Sequence, residues 1–374
     1  MKKFVLLLLI FVILFSGCVS TSEETDSETI GETAEETAVS DTETTTESET
    51  VLIADSMKLE VPHVYSGATL LTEDNESWYE ARALSYLGSF AMLTLYDDSS
   101  LQFYDVIAHS GVGSNAKYDK RMGLYNNFRE RSIIEAADNL GYDIHMVLRE
   151  KGLARSKILD YNFENSTANI IYVADADEAL HQLKLAISNK NPVEVNVDAF
   201  YLETTFANQS SFWEENKDGT HFSHFFVVSG YDSEFIYLQD PNEPGSKELK
   251  APVVEFLTAW KNGATSGVSG AHLGPFWMIS LKNNGDRKSL SQILSWNKQL
   301  SLRAVNHIRN TKTIADFGDL GVGRREFANY LREHGSTNAA DLYDEVAVSY
   351  FSHPDKTVIQ RIAGNEQIAR AKMH

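Results

Sequence analysis

Apolar and polar positions change rhythm several times along this chain. Phe4 to Phe15 is an almost unbroken apolar run behind Lys2 and Lys3, and residues 21–50 then hold almost no apolar positions. Regular patterning returns at about residue 58. Ser77-Trp-Tyr-Glu80 has the form of a capping box, and the Ala-rich stretch behind it predicts a helix to about Tyr96, broken by Asp97-Asp98-Ser99-Ser100. Residues 126–140 predict a second amphipathic helix, ended by Gly141. Asn169 to Ala174 is a short β-prone run, and Asp175-Ala-Asp177-Glu178 opens a helix to Asn189. Pro192-Val-Glu-Val-Asn-Val-Asp198 alternates as a strand does. Phe225–Tyr231 and Phe235–Leu238 flank the turn Asp232-Ser233-Glu234 and predict a hairpin, and Pro252–Lys261 predicts a helix.

From about Asp286 the β-prone runs stop. Ser289–Asn310, Arg325–His334, Asn338–Tyr350 and Lys356–Lys372 all carry helical periodicity and predict a helical subdomain of three or four helices. The pattern predicts an α+β fold followed by an α-helical C-terminal part, divided at about 56–283 and 284–374. No internal repeat is evident.

Composition changes the picture mainly at the N-terminus. A hydrophobic content of 43% with 11% aromatic residues fits a globular core, and a net charge of −20 argues against nucleic acid, whose phosphates need basic patches. Residues 21–50 hold eleven Asp or Glu and no Lys or Arg. Such a segment buries too little apolar surface to offset its ordering entropy, so residues 19–55 are expected to form a disordered stalk. The apolar run before it is too short for a membrane span, which takes about 20 residues. A charged start, a short apolar stretch and Ser16-Gly17-Cys18 form the layout of a secretory signal. The Ser-Gly-Cys ending resembles a prokaryotic lipoprotein signal. That resemblance implies residues 1–18 as signal peptide, lipidation at Cys18 and a protein tethered to the outer face of the cell membrane. Cys18 is the only cysteine, so no disulfide can form within one chain. Sequons at Asn75, Asn165 and Asn208 agree with export but are common by chance.

Candidate chemistry concentrates in Ser223-His224-Phe-Phe-Val-Val-Ser-Gly230-Tyr231-Asp232 and Ile236-Tyr-Leu-Gln-Asp240-Pro241. A hairpin turning at residues 232–235 brings His224 and Asp240 to the same open end, within a residue or two. An imidazole oriented by a carboxylate suits a general base. Pro241 stops the second strand. His221-x-x-His224 suggests a metal, but residues three apart on a strand point to opposite faces, and no third ligand stands at a diagnostic spacing. No metal or cofactor is expected. Gly318, Gly321 and Gly323 lack the preceding strand that a phosphate loop needs. Phe200, Tyr201, Phe206, Phe212 and Trp213 are aromatic candidates for a cleft lining or for core.

The strand with Asp198 and Tyr201-Leu202, His224 with Val227-Val228 and Gly230-Tyr231, and Asp240-Pro241 together resemble the papain-like peptidases that process bacteriocin leaders. They are still more similar to the N-terminal domain of the butirosin-biosynthesis acyltransferase family, which also carries a helical C-terminal part. The resemblance covers roughly residues 75–280. It implies a papain-like antiparallel sheet with packed helices, His224 as base and Asp240 as its orienter. In that family a cysteine opens a helix and Ala-Met follows six and seven residues later. Ser85-Tyr-Leu-Gly-Ser-Phe-Ala91-Met92 fits that spacing with serine in place of cysteine, and a second register places Tyr79 there. The oxyanion glutamine expected before the nucleophile is not evident; Tyr79 and Glu80 stand in that region.

A serine hydroxyl ionises far less than a thiol and depends wholly on its base. The expected function is therefore a degenerate peptidase-like domain that binds peptide or acyl ligands. The alternative is an active hydrolase or acyl transferase with a Ser85-His224-Asp240 triad.

Overall fold

A computed structural model of the chain describes residues 52–71, 78–81, 84–119, 123–125, 129–149, 168–202, 205, 221, 223–243, 245, 248–263, 274–311, 314, 317–351 and 356–373. The signal, Cys18, nearly all of the acidic segment and the three sequons lie outside these residues.

The strands are β1 (Met57–Lys58), β2 (Ala68–Leu71), β3 (Trp78–Ala81), β4 (Lys117–Asp119), β5 (Gly123–Tyr125), β6 (Tyr142–Arg149), β7 (Asn169–Val173), β8 (Val193–Asp198), β9 (Ser223–Tyr231), β10 (Phe235–Gln239), β11 (Glu248–Pro252) and β12 (Met278–Asn283). The helices are α1 (Ser85–Asp97), α2 (Phe103–Ser110), α3 (Arg129–Leu140), α4 (Ala176–Ser188), α5 (Val253–Asn262), α6 (Leu290–Asn310), α7 (Phe317–Glu333), α8 (Thr337–Phe351) and α9 (Lys356–Ala371). Among the described residues eight strands join one sheet in the order β11-β10-β9-β8-β12-β6-β7, with β1 on β9. All pairings are antiparallel except β6 with β7. This is the expected α+β arrangement, with helices α6–α9 following the sheet.

Most elements fall where periodicity predicts them. Asp175 caps α4 by accepting from the N–H groups of Asp177 and Glu178, each at 3.0 Å. The hairpin β9–β10 turns at the predicted residues, where Asp232 Oδ1 accepts from Glu234 N and Phe235 N at 2.7 Å.

Two expectations are corrected. The helix expected from Ser77 is a strand at Trp78–Ala81, paired with β2 so that Tyr79 lies opposite Leu70. Aromatic residues favour that pleated pairing over an isolated capping pattern. The helix proper starts at Ser85, after Leu84 in the left-handed conformation at φ 59°. The helix expected at Arg325–His334 starts earlier, at Phe317, and takes in Gly318, Gly321 and Gly323. Tertiary packing overrides their poor propensity: a Cβ at Gly321 would run into the ring of Phe351, and one at Gly323 would lie 3.1 Å from Val112.

β8 departs from its alternation in a way that matters. Every residue from Val193 to Asp198 is buried, including Glu194, Asn196 and Asp198. The strand is covered on both faces, so the polar half of its pattern does not mark a wet face.

One hydrophobic cluster runs from α1 and the sheet into α7 and α8, through Phe327, Tyr330, Leu331 and Tyr343. A second fills the space between α6, α7, α8 and α9, around Val305, Leu320, Tyr350 and Ile362. Buried Arg324 fastens the two parts. It pairs with Glu366 at 2.9 Å and donates to the carbonyls of Val112 and Asn115 at 3.2 and 2.7 Å, in the turn after α2. Thr50–His374 accordingly form one compact unit.

Candidate active site

The hairpin β9–β10 builds the centre of the site. Its register pairs Ile236 with Tyr231, shifts by a bulge at Tyr237/Leu238, and ends with Gln239 opposite Val227. Asp240 is the next residue and reaches back toward the start of β9. There His224 Nε2–H donates to Asp240 Oδ1 at 2.8 Å, with both side chains buried. The same Oδ1 accepts from Asn242 N at 2.8 Å. Carrying its proton on Nε2, the neutral imidazole has Nδ1 as its basic nitrogen. The ring of Phe226 meets the imidazole edge-on at 4.6 Å.

Ser85 is the first residue of α1 and is half-buried. The carbonyl of Leu84 accepts from Leu87 N and Gly88 N at 2.8 and 2.9 Å, so the helix starts cleanly there. Its first turn packs against the neighbours of both dyad residues. The Tyr86 ring lies 6.0 Å from that of Phe225, and a Cβ at Gly88 would stand 2.7 Å from Cβ of Pro241 and of Ser66. His224 and Asp240 are thus brought together; Ser85 opens α1, and Tyr79 lies on β3.

His221 and His224 each have a carboxylate of their own. His221 Nδ1 lies 2.8 Å from Asp198 Oδ2, with its imidazole 4.1 Å from the ring of Phe200. Strand pairing puts Val197 opposite His224 and Asp198 opposite Ser223, so the two carboxylates serve opposite faces of the sheet. Among the described residues no three His, Cys, Asp or Glu side chains gather as a metal site. Phe200 and Tyr201 stand on the 3₁₀ turn Ala199–Leu202; Phe206, Phe212 and Trp213 lie outside the described residues.

Three residues at or near the site carry no signal in the sequence. Asp319, in the first turn of α7, accepts the Leu84 N–H at 2.9 Å. His63 donates from Nε2 to the Glu243 carbonyl at 2.9 Å, and burial holds its pKa below the usual imidazole value. Glu194 is fully buried with no hydrogen-bond partner on either oxygen among the described residues, and desolvation pushes its pKa well above the carboxylate range. The first two contacts join residues 235 and 180 positions apart, beyond any local pattern.

No curated protein matches this chain. Among solved structures, one described as a C39-like peptidase from Bacillus anthracis aligns with a TM-score of 0.34 and 15% identity, over 62% of this chain and 98% of that one. Residues 152–268, a stretch that carries Glu194, His224 and Asp240, match the model of the Peptidase_C39 like family. Residues 152–268 are thus similar to a peptidase-like domain.

Proposed function

We propose that this chain is a lipid-anchored surface protein whose peptidase-like domain binds a peptide or acyl ligand without turning it over. The observation that carries the reading lies at the start of α1. In the register that puts Ser85 at the cysteine position of the resembling peptidases, the N–H just before it is taken by the buried carboxylate of Asp319. A serine hydroxyl needs a strong base and a prepared oxyanion hole. A carboxylate at the helix start offsets the positive end of the helix that would favour negative charge there.

A second reading keeps the active triad. The buried 2.8 Å contact between His224 and Asp240 favours it, because an oriented imidazole is what a serine nucleophile requires.

One experiment separates the two. The purified chain is exposed to a fluorophosphonate probe and assayed against mixed peptides and thioesters, beside its Ser85→Cys and Ser85→Ala variants. The binding reading expects a silent wild type and activity, if any, only in Ser85→Cys. Turnover by the wild type at about 1 per second or faster, lost in Ser85→Ala, overturns it. Anchoring is tested separately: Cys18→Ala should lose detergent-phase partitioning or retain its signal, and a processed mutant that still partitions counts against lipidation.

A further inference from the structure

The segment after β1 lies along the residues that follow β10. Gln239 Nε2 donates to the Val61 carbonyl at 3.1 Å, His63 Nε2 to the Glu243 carbonyl at 2.9 Å, and Ser66 N to the Pro241 carbonyl at 2.7 Å. Asp240 sits between these contacts, and its charge acts on His63.

Three atoms in this cluster are buried with no partner among the described residues: Gln239 Oε1, Asp240 Oδ2 and His63 Nδ1. All three are acceptors. A carbonyl can only accept, so the contact with Glu243 fixes the His63 proton on Nε2 and leaves a lone pair on Nδ1. A buried acceptor left unsatisfied is costly, so a partner is expected for each. One water that bridges His63 Nδ1 and Asp240 Oδ2 satisfies those two at once.

We propose that His63 is the third member of the His224–Asp240 site, a positioning residue coupled to Asp240 Oδ2 across one bridging water. This rests on His224 and Asp240 being the functional pair. His224 holds one carboxylate oxygen and His63 acts on the other. A proton on His63 competes with His224 for the same negative charge. The charge that acts on His63 is that of Asp240, which also holds His224; Glu243 meets His63 through its backbone carbonyl.

The test is histidine-selective NMR titration of the full chain, wild type against His63→Gln. Glutamine keeps a donor for the Glu243 carbonyl and removes the titrating nitrogen. In the wild type the His224 signal should respond to two protonations. In His63→Gln it should follow one, with its midpoint moved up by about half a unit or more, a threefold change in proton affinity. An unmoved midpoint in a folded variant overturns the proposal. Should His63→Gln fail to fold, Asp240→Asn supplies the reciprocal reading. An His63 titration left unchanged by that substitution is equally fatal. Neither measurement needs turnover or ligand, so a silent Ser85→Cys variant would count against the site's ancestry and leave this coupling standing.

Discussion

Leu84 donates its backbone N–H to Asp319 Oδ1 at 2.9 Å, which ties the first turn of α7 to the residue that opens α1. Leu84 is buried and left-handed, a conformation costing a non-glycine residue about 1–3 kcal/mol, so neighbouring contacts must hold it there. Asp319→Ala strands a buried donor and is expected to lower stability by about 1–3 kcal/mol. Asp319→Asn keeps an acceptor oxygen and should cost clearly less. Urea unfolding of the two variants measures the difference. Equal losses would mean that the hydrogen bond contributes nothing at this position.

Gly88 marks how closely α1 approaches the site. Alanine is the better helix former by about 1 kcal/mol. Its Cβ, however, would lie 2.7 Å from Cβ of both Pro241 and Ser66. Overpacking of this kind costs about 1–3 kcal/mol. The clash should win: Gly88→Ala is expected to destabilise the fold and shift the His224 NMR signal, since Pro241 adjoins Asp240. A variant as stable as wild type with an unmoved His224 signal would show that α1 does not bear on the dyad.

The His224–Asp240 contact was legible because everything specifying it is local. Two β-prone runs, a turn at Asp232-Ser233-Glu234 and a stop at Pro241 fix the hairpin and its open end within sixteen residues. The start of α1 was less legible. Ser77-Trp-Tyr-Glu80 satisfies a helix signature, but pairing with Ala68–Leu71 claims Trp78–Ala81 for a hairpin. That choice is made between strands and not within a window. The alternation of β8 was read correctly as a strand, yet it says nothing about what covers each face, so the burial of Glu194 was hidden. His63 and Asp319 were invisible for the same reason.

Two buried groups impose opposite pH slopes on stability, and together they make the last prediction. Glu194 has its folded pKa raised well above 4.5 by desolvation alone. Above that unfolded value the unfolded chain has released the proton that the folded chain keeps. Its contribution therefore falls as pH rises from about 4.5 toward the folded pKa. His109 goes the other way. Its Nδ1–H donates to the Asp105 carbonyl at 2.7 Å, and burial, aided by Arg287, His334 and Lys288, lowers its pKa from 6.5 to about 4. Its contribution is whole above about 6.5 and is lost as pH falls to about 4, a swing of at most about 3 kcal/mol. Unfolding free energy measured from pH 4 to 8 should separate the two. Relative to wild type, Glu194→Gln should gain stability steadily as pH rises above 4.5. His109→Gln should lose stability against wild type as pH rises from 4 to 6.5, then run parallel to it. Buried Glu366 shares the direction of Glu194, so the differences from wild type carry the test, not the absolute slopes. A difference curve for Glu194→Gln that stays flat across this range would mean that the carboxyl ionises as readily in the folded chain as in the unfolded one. Its burial without a partner would then be wrong.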